Sequence, residues 1–105
     1  MDKMYSVYDR KTKCYQPPFP APTPEAATRS FHTVVNSPEH PVGKYPEDYT
    51  LMCVGSWLDQ KGLIEGLPQP ELVATGIDLY QPPKLHEQQI PMPLANGEES
   101  EAAQG

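Results

Sequence analysis

The stretch Asp48-Tyr49-Thr50-Leu51-Met52-Cys53-Val54-Gly55-Ser56-Trp57-Leu58 decides the fold. Read with a period of two, Tyr49, Leu51, Cys53 and Trp57 fall on one face, and Met52, Val54 and Leu58 share the other with Thr50 and Ser56. A strand that is apolar on both faces belongs in the middle of a sheet. Asp59-Gln60-Lys61-Gly62 follows as a turn whose glycine can take the positive φ that such turns need. Leu63 to Leu67 then returns as a shorter strand and closes a hairpin.

Upstream, Met4-Tyr5-Ser6-Val7-Tyr8 is rich in aromatic and β-branched residues and reads as the first strand. Asp9 to Lys13 is a polar turn. Tyr15 to Pro22 carries Pro17, Pro18, Pro20 and Pro22, which predicts a stiff, extended connector. Thr23-Pro24 is an N-cap followed by proline at the first helical position, and Glu25 complements the helix dipole. Ala27, Phe31, Val34 and Val35 then recur on one helical stripe until Asn36-Ser37-Pro38 ends it. The loop from Ser37 to Glu47, with Pro38, Pro41, Gly43 and Pro46, is long enough to cross the sheet. A right-handed crossover would set the first strand parallel to the Asp48 to Leu58 strand.

The expected fold class is therefore α+β: a small β-α-β-β domain over residues 1–76, with one helix packed on a short mixed sheet. Pro68 to Gly76 leaves room for a helical turn around Glu71 to Ala74. Residues 77–105 carry Pro82-Pro83, Pro91-Met92-Pro93 and Glu98-Glu99-Ser100-Glu101 without sustained periodicity, and read as a disordered, proline-rich, acidic C-terminal tail.

Composition agrees with one small domain plus a tail. The chain has 105 residues, 37% of them hydrophobic, and 14 prolines; the hydrophobic share lies under the roughly 45–50% usual for globular chains. The net charge of −6 is concentrated beyond Thr50, where only Lys61 and Lys84 stand against Asp59, Glu65, Glu71, Asp78, Glu87, Glu98, Glu99 and Glu101. An acidic chain is a poor general binder of polyanions, so only a local basic patch could hold nucleic acid. No apolar run approaches the roughly 18 residues that cross a bilayer, and the N-terminus lacks a signal peptide's apolar segment. The expectation is a protein of the cytoplasm, without membrane contact. Cys14 and Cys53 have no partner at redox or metal spacing and read as small packing thiols.

No catalytic, cofactor-binding or metal-binding set is expected. His32, His40 and His86 are not spaced from one another or from a cysteine as local zinc motifs require. Gly55-Ser56-Trp57 is no nucleophile elbow, and Glu47 and Asp48 read as solvated loop charges that diverge. There is no glycine-rich phosphate loop. One constellation could carry a function: Arg10, Lys11 and Lys13 lie in a turn bracketed by Tyr5, Tyr8, Tyr15 and Phe19. Cations beside aromatic faces are how single-stranded nucleic acid is held without sequence readout, and Arg10, Lys11, Lys13, Tyr8 and Tyr15 are the candidate nucleic-acid-binding residues. Pro17-Pro18-Phe19-Pro20 also fits P-x-x-P recognition, or a connector packed on its own domain.

The runs Met4-Tyr5-Ser6-Val7-Tyr8-Asp9, Tyr15-Gln16-Pro17-Pro18-Phe19, Glu25-Ala26 through Arg29-Ser30-Phe31, Val35-Asn36 and Pro46-Glu47-Asp48-Tyr49-Thr50-Leu51 with Gly55 occur in that order. In this the chain resembles the small nonstructural protein of gokushoviruses, single-stranded DNA bacteriophages of the microvirus family. It departs from them at Ser56-Trp57-Leu58, where relatives often carry an acidic-aromatic-acidic pattern, and in a longer proline-rich tail. The resemblance implies a protein made in the infected bacterium, absent from the mature particle, that assists viral single-stranded DNA synthesis or its coupling to packaging. It implies no catalytic residues. The resulting expectation is a non-enzymatic adaptor that binds viral or host replication and packaging proteins. The alternatives are a direct single-stranded DNA-binding protein using the basic and aromatic turn, or an internal scaffolding factor. A homodimer through a sheet edge is compatible with each.

Overall fold

The computed structural model describes residues 2–82. Its strands are β1 (Asp2–Asp9), β2 (Cys14–Tyr15), β3 (Phe19–Ala21), β4 (Tyr49–Leu58) and β5 (Leu63–Thr75). Helix α1 (Pro24–Val35), the short α2 (Pro41–Lys44) and a 3-10 turn (Pro46–Asp48) separate β3 from β4, and the helical turn α3 (Gly76–Leu79) follows β5. The order across the sheet is β2-β1-β4-β5, with β3 also paired to β1. The α+β class expected from the sequence is the class observed.

Every pairing is antiparallel, so the mixed sheet and the parallel pairing of the two main strands are corrected. The cause lies in the proline-rich connector. Cys14–Tyr15 pairs with Tyr8 and Asp9, and Phe19–Ala21 pairs with Tyr5, Met4 and Lys3, so the chain runs back along β1 to the end where β1 began. Helix α1 starts from that end and carries the chain toward the other, where Tyr49 enters β4 opposite Asp9. One unforeseen return strand reverses the direction of all that follows. Pro20 can sit in β3 because that strand is short and peripheral, where a missing donor is tolerated.

Helix α1 forms where expected. The Thr23 hydroxyl accepts a hydrogen bond from Ala26 N at 3.1 Å, which satisfies one of the orphan donors of the first turn. Its buried stripe is Ala27, Phe31 and Val35, packed with Tyr5, Val7, Ala21, Val42, Tyr49, Leu51 and Cys53 into one core. Burying residues such as Phe31, Leu51 and Val35 fully contributes about 1.5–3 kcal/mol each. The helix ends at Asn36, whose side chain also holds the segment that follows β5. Its Nδ2 donates to His32 O and Leu79 O, and its Oδ1 accepts from Gln81 N at 2.7 Å.

That clamp places α3 against α1, so ordered contacts run past the boundary drawn at residue 76. The tail expected beyond it lies, from residue 83 onward, outside the described residues. Nor is there a helical turn at Glu71 to Ala74: these residues extend β5, and the turn comes later, capped by the Thr75 hydroxyl accepting from Asp78 N.

Sequence alternation also misplaces Trp57. Tyr5 faces Cys53, but Met4 faces Gly55, so a bulge at Val54 shifts the register. Beyond it Trp57 faces Asp2, on the side of the sheet opposite Tyr49, Leu51 and Cys53. A larger irregularity interrupts β5: Cys53 pairs with Glu71 while Gly55 pairs with Gly66, leaving Leu67-Pro68-Gln69-Pro70 without ladder partners on β4.

Two glycines separate close approach from ordinary contact. A Cβ on Gly76 would clash with the Pro46 carbonyl oxygen, whereas on Gly66 the nearest atom, Val54 O, would be 3.9 Å away. Gly76→Ala is expected to lower the free energy of unfolding by about 1–3 kcal/mol, the range of overpacked sites. Gly66→Ala should stay within about 0.5 kcal/mol of the parent, and urea denaturation of the two variants compares them directly.

Candidate nucleic-acid interface

The β1–β2 turn brings the five residues picked from the sequence together. Tyr8 and Tyr15 are register partners, and their ring centroids lie 4.7 Å apart at an interplanar angle of 50°. Such a pair contributes about 0.5–1.5 kcal/mol beyond the area it buries. Tyr15 remains 46% exposed, so one ring keeps a face open to a ligand. The turn itself is tied by Lys13 N donating to Asp9 O at 2.8 Å and Lys11 N donating to the Asp9 carboxylate at 2.9 Å.

Lys13 has φ of +60°, and it is the non-glycine residue with positive φ among those described. A left-handed backbone costs an L-residue roughly 1–2 kcal/mol, which glycine would avoid. A lysine in that position brings a cation to the tip of the turn at the expense of stability.

Arg10 is used differently from Lys11 and Lys13. Its Nε donates to Asp48 Oδ1 at 2.9 Å and its backbone N donates to Asp48 O at 3.0 Å. The Asp48 side chain is 9% exposed and that of Arg10 is 59% exposed. A buried carboxylate needs a partner, so Arg10 serves the fold, joining the β1–β2 turn to the start of β4. The reading of Asp48 as a solvated loop charge is thereby corrected; Glu47 is exposed. A groove beside this pair is lined by Asp9, Glu47 and Asp48 against Arg10 and Lys11. Burial, with the Asp9 and Asp48 carboxylates nearby, pushes the Tyr49 phenol in its wall above the usual range. The carboxylates of that groove outnumber its cations by three to two.

The opposite face of the sheet differs in charge. On β1, the residues Asp2, Met4, Ser6 and Tyr8 share it, and the register adds Tyr15, Thr50, Met52, Trp57, Ile64, Leu72 and Thr75. Asp9, Glu65 and Glu71 alternate to the other side, where α1 packs. A chain that is acidic overall thus presents an aromatic and apolar sheet face with Asp2 as its carboxylate, next to the turn bearing Lys11 and Lys13. Trp57 escapes a sequence reading of this face because only the bulge at Val54 brings it there.

The remaining polar candidates have structural settings. His40 Nδ1 accepts from Val42 N at 3.1 Å and caps α2. His32 is half-buried on α1 beside Glu25 and Arg29. Ser56 lies within β4 between Lys3 and Glu65, and His86 falls outside the described residues. Cys53 is buried as a packing thiol, whereas Cys14 is exposed in the turn, contrary to its expected packing role. Among the described residues, no group of three His, Cys, Asp or Glu side chains comes together as a metal site would require. No helix among them is long and apolar enough to cross a membrane.

The sequence profile of the family described as Phage ORF5 protein matches residues 2–79. No curated protein and no solved structure matches the chain.

The strain at Lys13 makes a measurable separation between stability and charge. Lys13→Gly should raise the free energy of unfolding by up to about 1 kcal/mol, the relief of the left-handed conformation less the greater flexibility of unfolded glycine. Chemical denaturation with circular dichroism detection reads it.

Proposed function

The chain belongs to the Phage ORF5 protein family, and from this phage setting we propose that it is a non-enzymatic protein that binds single-stranded DNA. The observation that carries this reading is the Tyr8–Tyr15 pair, in tilted ring contact and part-exposed, beside Lys13 held at positive φ. Rings accept unstacked bases whatever their identity, and the ammonium groups of Lys11 and Lys13 neutralise adjacent phosphates. Strain tolerated at a surface turn points to a role for the side chain it displays.

The binding is sequence-tolerant and sensitive to salt. Its place is the cytoplasm of the infected bacterium, where genome strands of a single-stranded DNA phage of the gokushovirus kind must be kept unpaired between synthesis and packaging. Its acidity confines contact to one face of the sheet.

A second reading, the adaptor that holds replication or packaging proteins, is favoured by one feature. Leu63, Ile64 and Leu72 of the edge strand β5 are 57%, 61% and 64% exposed. Exposed apolar side chains on an edge strand, Ile64 and Leu72 on one face and Leu63 on the other, attract protein partners, a second copy included.

Fluorescence anisotropy with a labelled oligothymidylate tests the first reading. The double variant Lys11→Ala/Lys13→Ala is expected to bind at least tenfold more weakly. It should also flatten the plot of log affinity against log salt by about 1.4, two phosphates' worth on a single strand. Unchanged affinity and unchanged slope would remove the turn from the interface. If Ile64→Lys or Leu72→Lys abolished co-purification of a phage protein while oligonucleotide binding stayed intact, the adaptor reading would stand in its own right.

A further inference from the structure

The basic turn is only one end of the aromatic face. Tyr8 and Asp2 lie six residues apart on β1, and Asp2 is the register partner of Trp57, which sets Trp57 about 20 Å from the tyrosine pair at a rise of about 3.4 Å per residue. Met4 and Ser6, both buried, lie between them on β1, with Met52 and Leu72 alongside on the neighbouring strands. Trp57 is half-buried and pairs across the hairpin with the exposed Ile64. Just beyond, the β4–β5 turn carries the exposed Lys61.

The far end of the face also has an aromatic ring on the sheet and an ammonium group in the adjoining turn, here with the Asp2 carboxylate opposite Trp57 and Asp59 in the same turn as Lys61. Leu58 and Leu63 pair on the opposite side of the same arm, so the arm has apolar residues on both faces. Its conformation is set by the hairpin itself, where Gly62 takes φ of +67°.

We infer that Trp57 and Lys61 form a second contact on the same DNA strand, so that one protein molecule spans about six nucleotides from the Tyr8–Tyr15 pair to the β4–β5 turn. The length takes about 20 Å of face at about 3.4 Å per nucleotide, for a strand whose end bases lie on the protein's rings and whose intervening bases stay stacked on one another. This rests on the single-stranded DNA reading above and adds to it the residues that set the footprint. Trp57 stacks on a base, Lys61 neutralises a phosphate, and between the two ends the accessible Met52 and Leu72 offer apolar contact without reading sequence.

Trp57 is the single tryptophan of the chain, so its emission reports on that end alone. The full chain is titrated with oligothymidylates of three to ten nucleotides. Quenching of Trp57 and a rise in affinity up to about six nucleotides are expected. Trp57→Ala should cost about tenfold in affinity for the eight-mer, within the range for one stacked base, and shorten the saturating length to about three. Trp57→Phe should restore most of the loss, and Lys61→Ala should lower affinity severalfold while leaving the denaturation midpoint unchanged. If Lys11→Ala/Lys13→Ala weakens binding but the eight-mer leaves Trp57 emission and the Trp57→Ala affinity unaltered, the second contact is wrong and the first stands. If no oligothymidylate binds, both fall.

Discussion

Across the β1–β4 ladder, Tyr5 faces Cys53 and Val7 faces Leu51. These side chains are the floor on which Ala27, Phe31 and Val35 of α1 rest. Because side chains alternate along a strand, one side of β1 serves the helix while Met4, Ser6 and Tyr8 take the other, Met4 and Ser6 buried and Tyr8 part-exposed. Every other element attaches to this pair: β2 and β3 along the free side of β1, β5 along β4, and α3 through Asn36. A slip of one residue would put Tyr5 and Val7 on the outer face and leave the helix without a floor. The aromatic face and the core are therefore two sides of one register.

Much of this was legible in the residues. Thr23-Pro24 and Asn36 bound the helix because capping chemistry is local and strong, and Gly62 marks its turn because positive φ excludes most other residues. The central place of β4 follows from its two-sided apolarity. The direction of the sheet was not legible, because prolines 17, 18, 20 and 22 argue for an unpaired connector while Phe19–Ala21 nonetheless pairs at the edge of β1, where Pro20 needs no donor. Only tertiary pairing reveals that.

The candidate site divides in the same way. Tyr8, Lys11, Lys13 and Tyr15 come together because a tight turn joins two adjacent strands, a relation short enough to read from spacing. Arg10 belongs to the cluster in sequence, yet it is engaged by Asp48, thirty-eight positions away, and no local pattern announces that partner. Trp57 was assigned to the wrong face, since strict alternation holds only until a bulge, and nothing in Val54-Gly55 distinguishes a bulge from a regular strand. What spacing cannot supply is long-range, and here the long-range contacts decide which cations are committed to the fold and which aromatic rings share a face.

The interruption of β5 at Leu67-Pro68-Gln69-Pro70 has a consequence for how this protein behaves in a crowded cell. An uninterrupted outer strand of thirteen residues would be a template on which further chains could zip, each new strand exposing the same template again. Two prolines within four positions withdraw two amide donors and bend the strand away from straightness. Growth by repeated strand addition is stopped near its middle. A small protein with an exposed outer strand can then accumulate without turning into fibre.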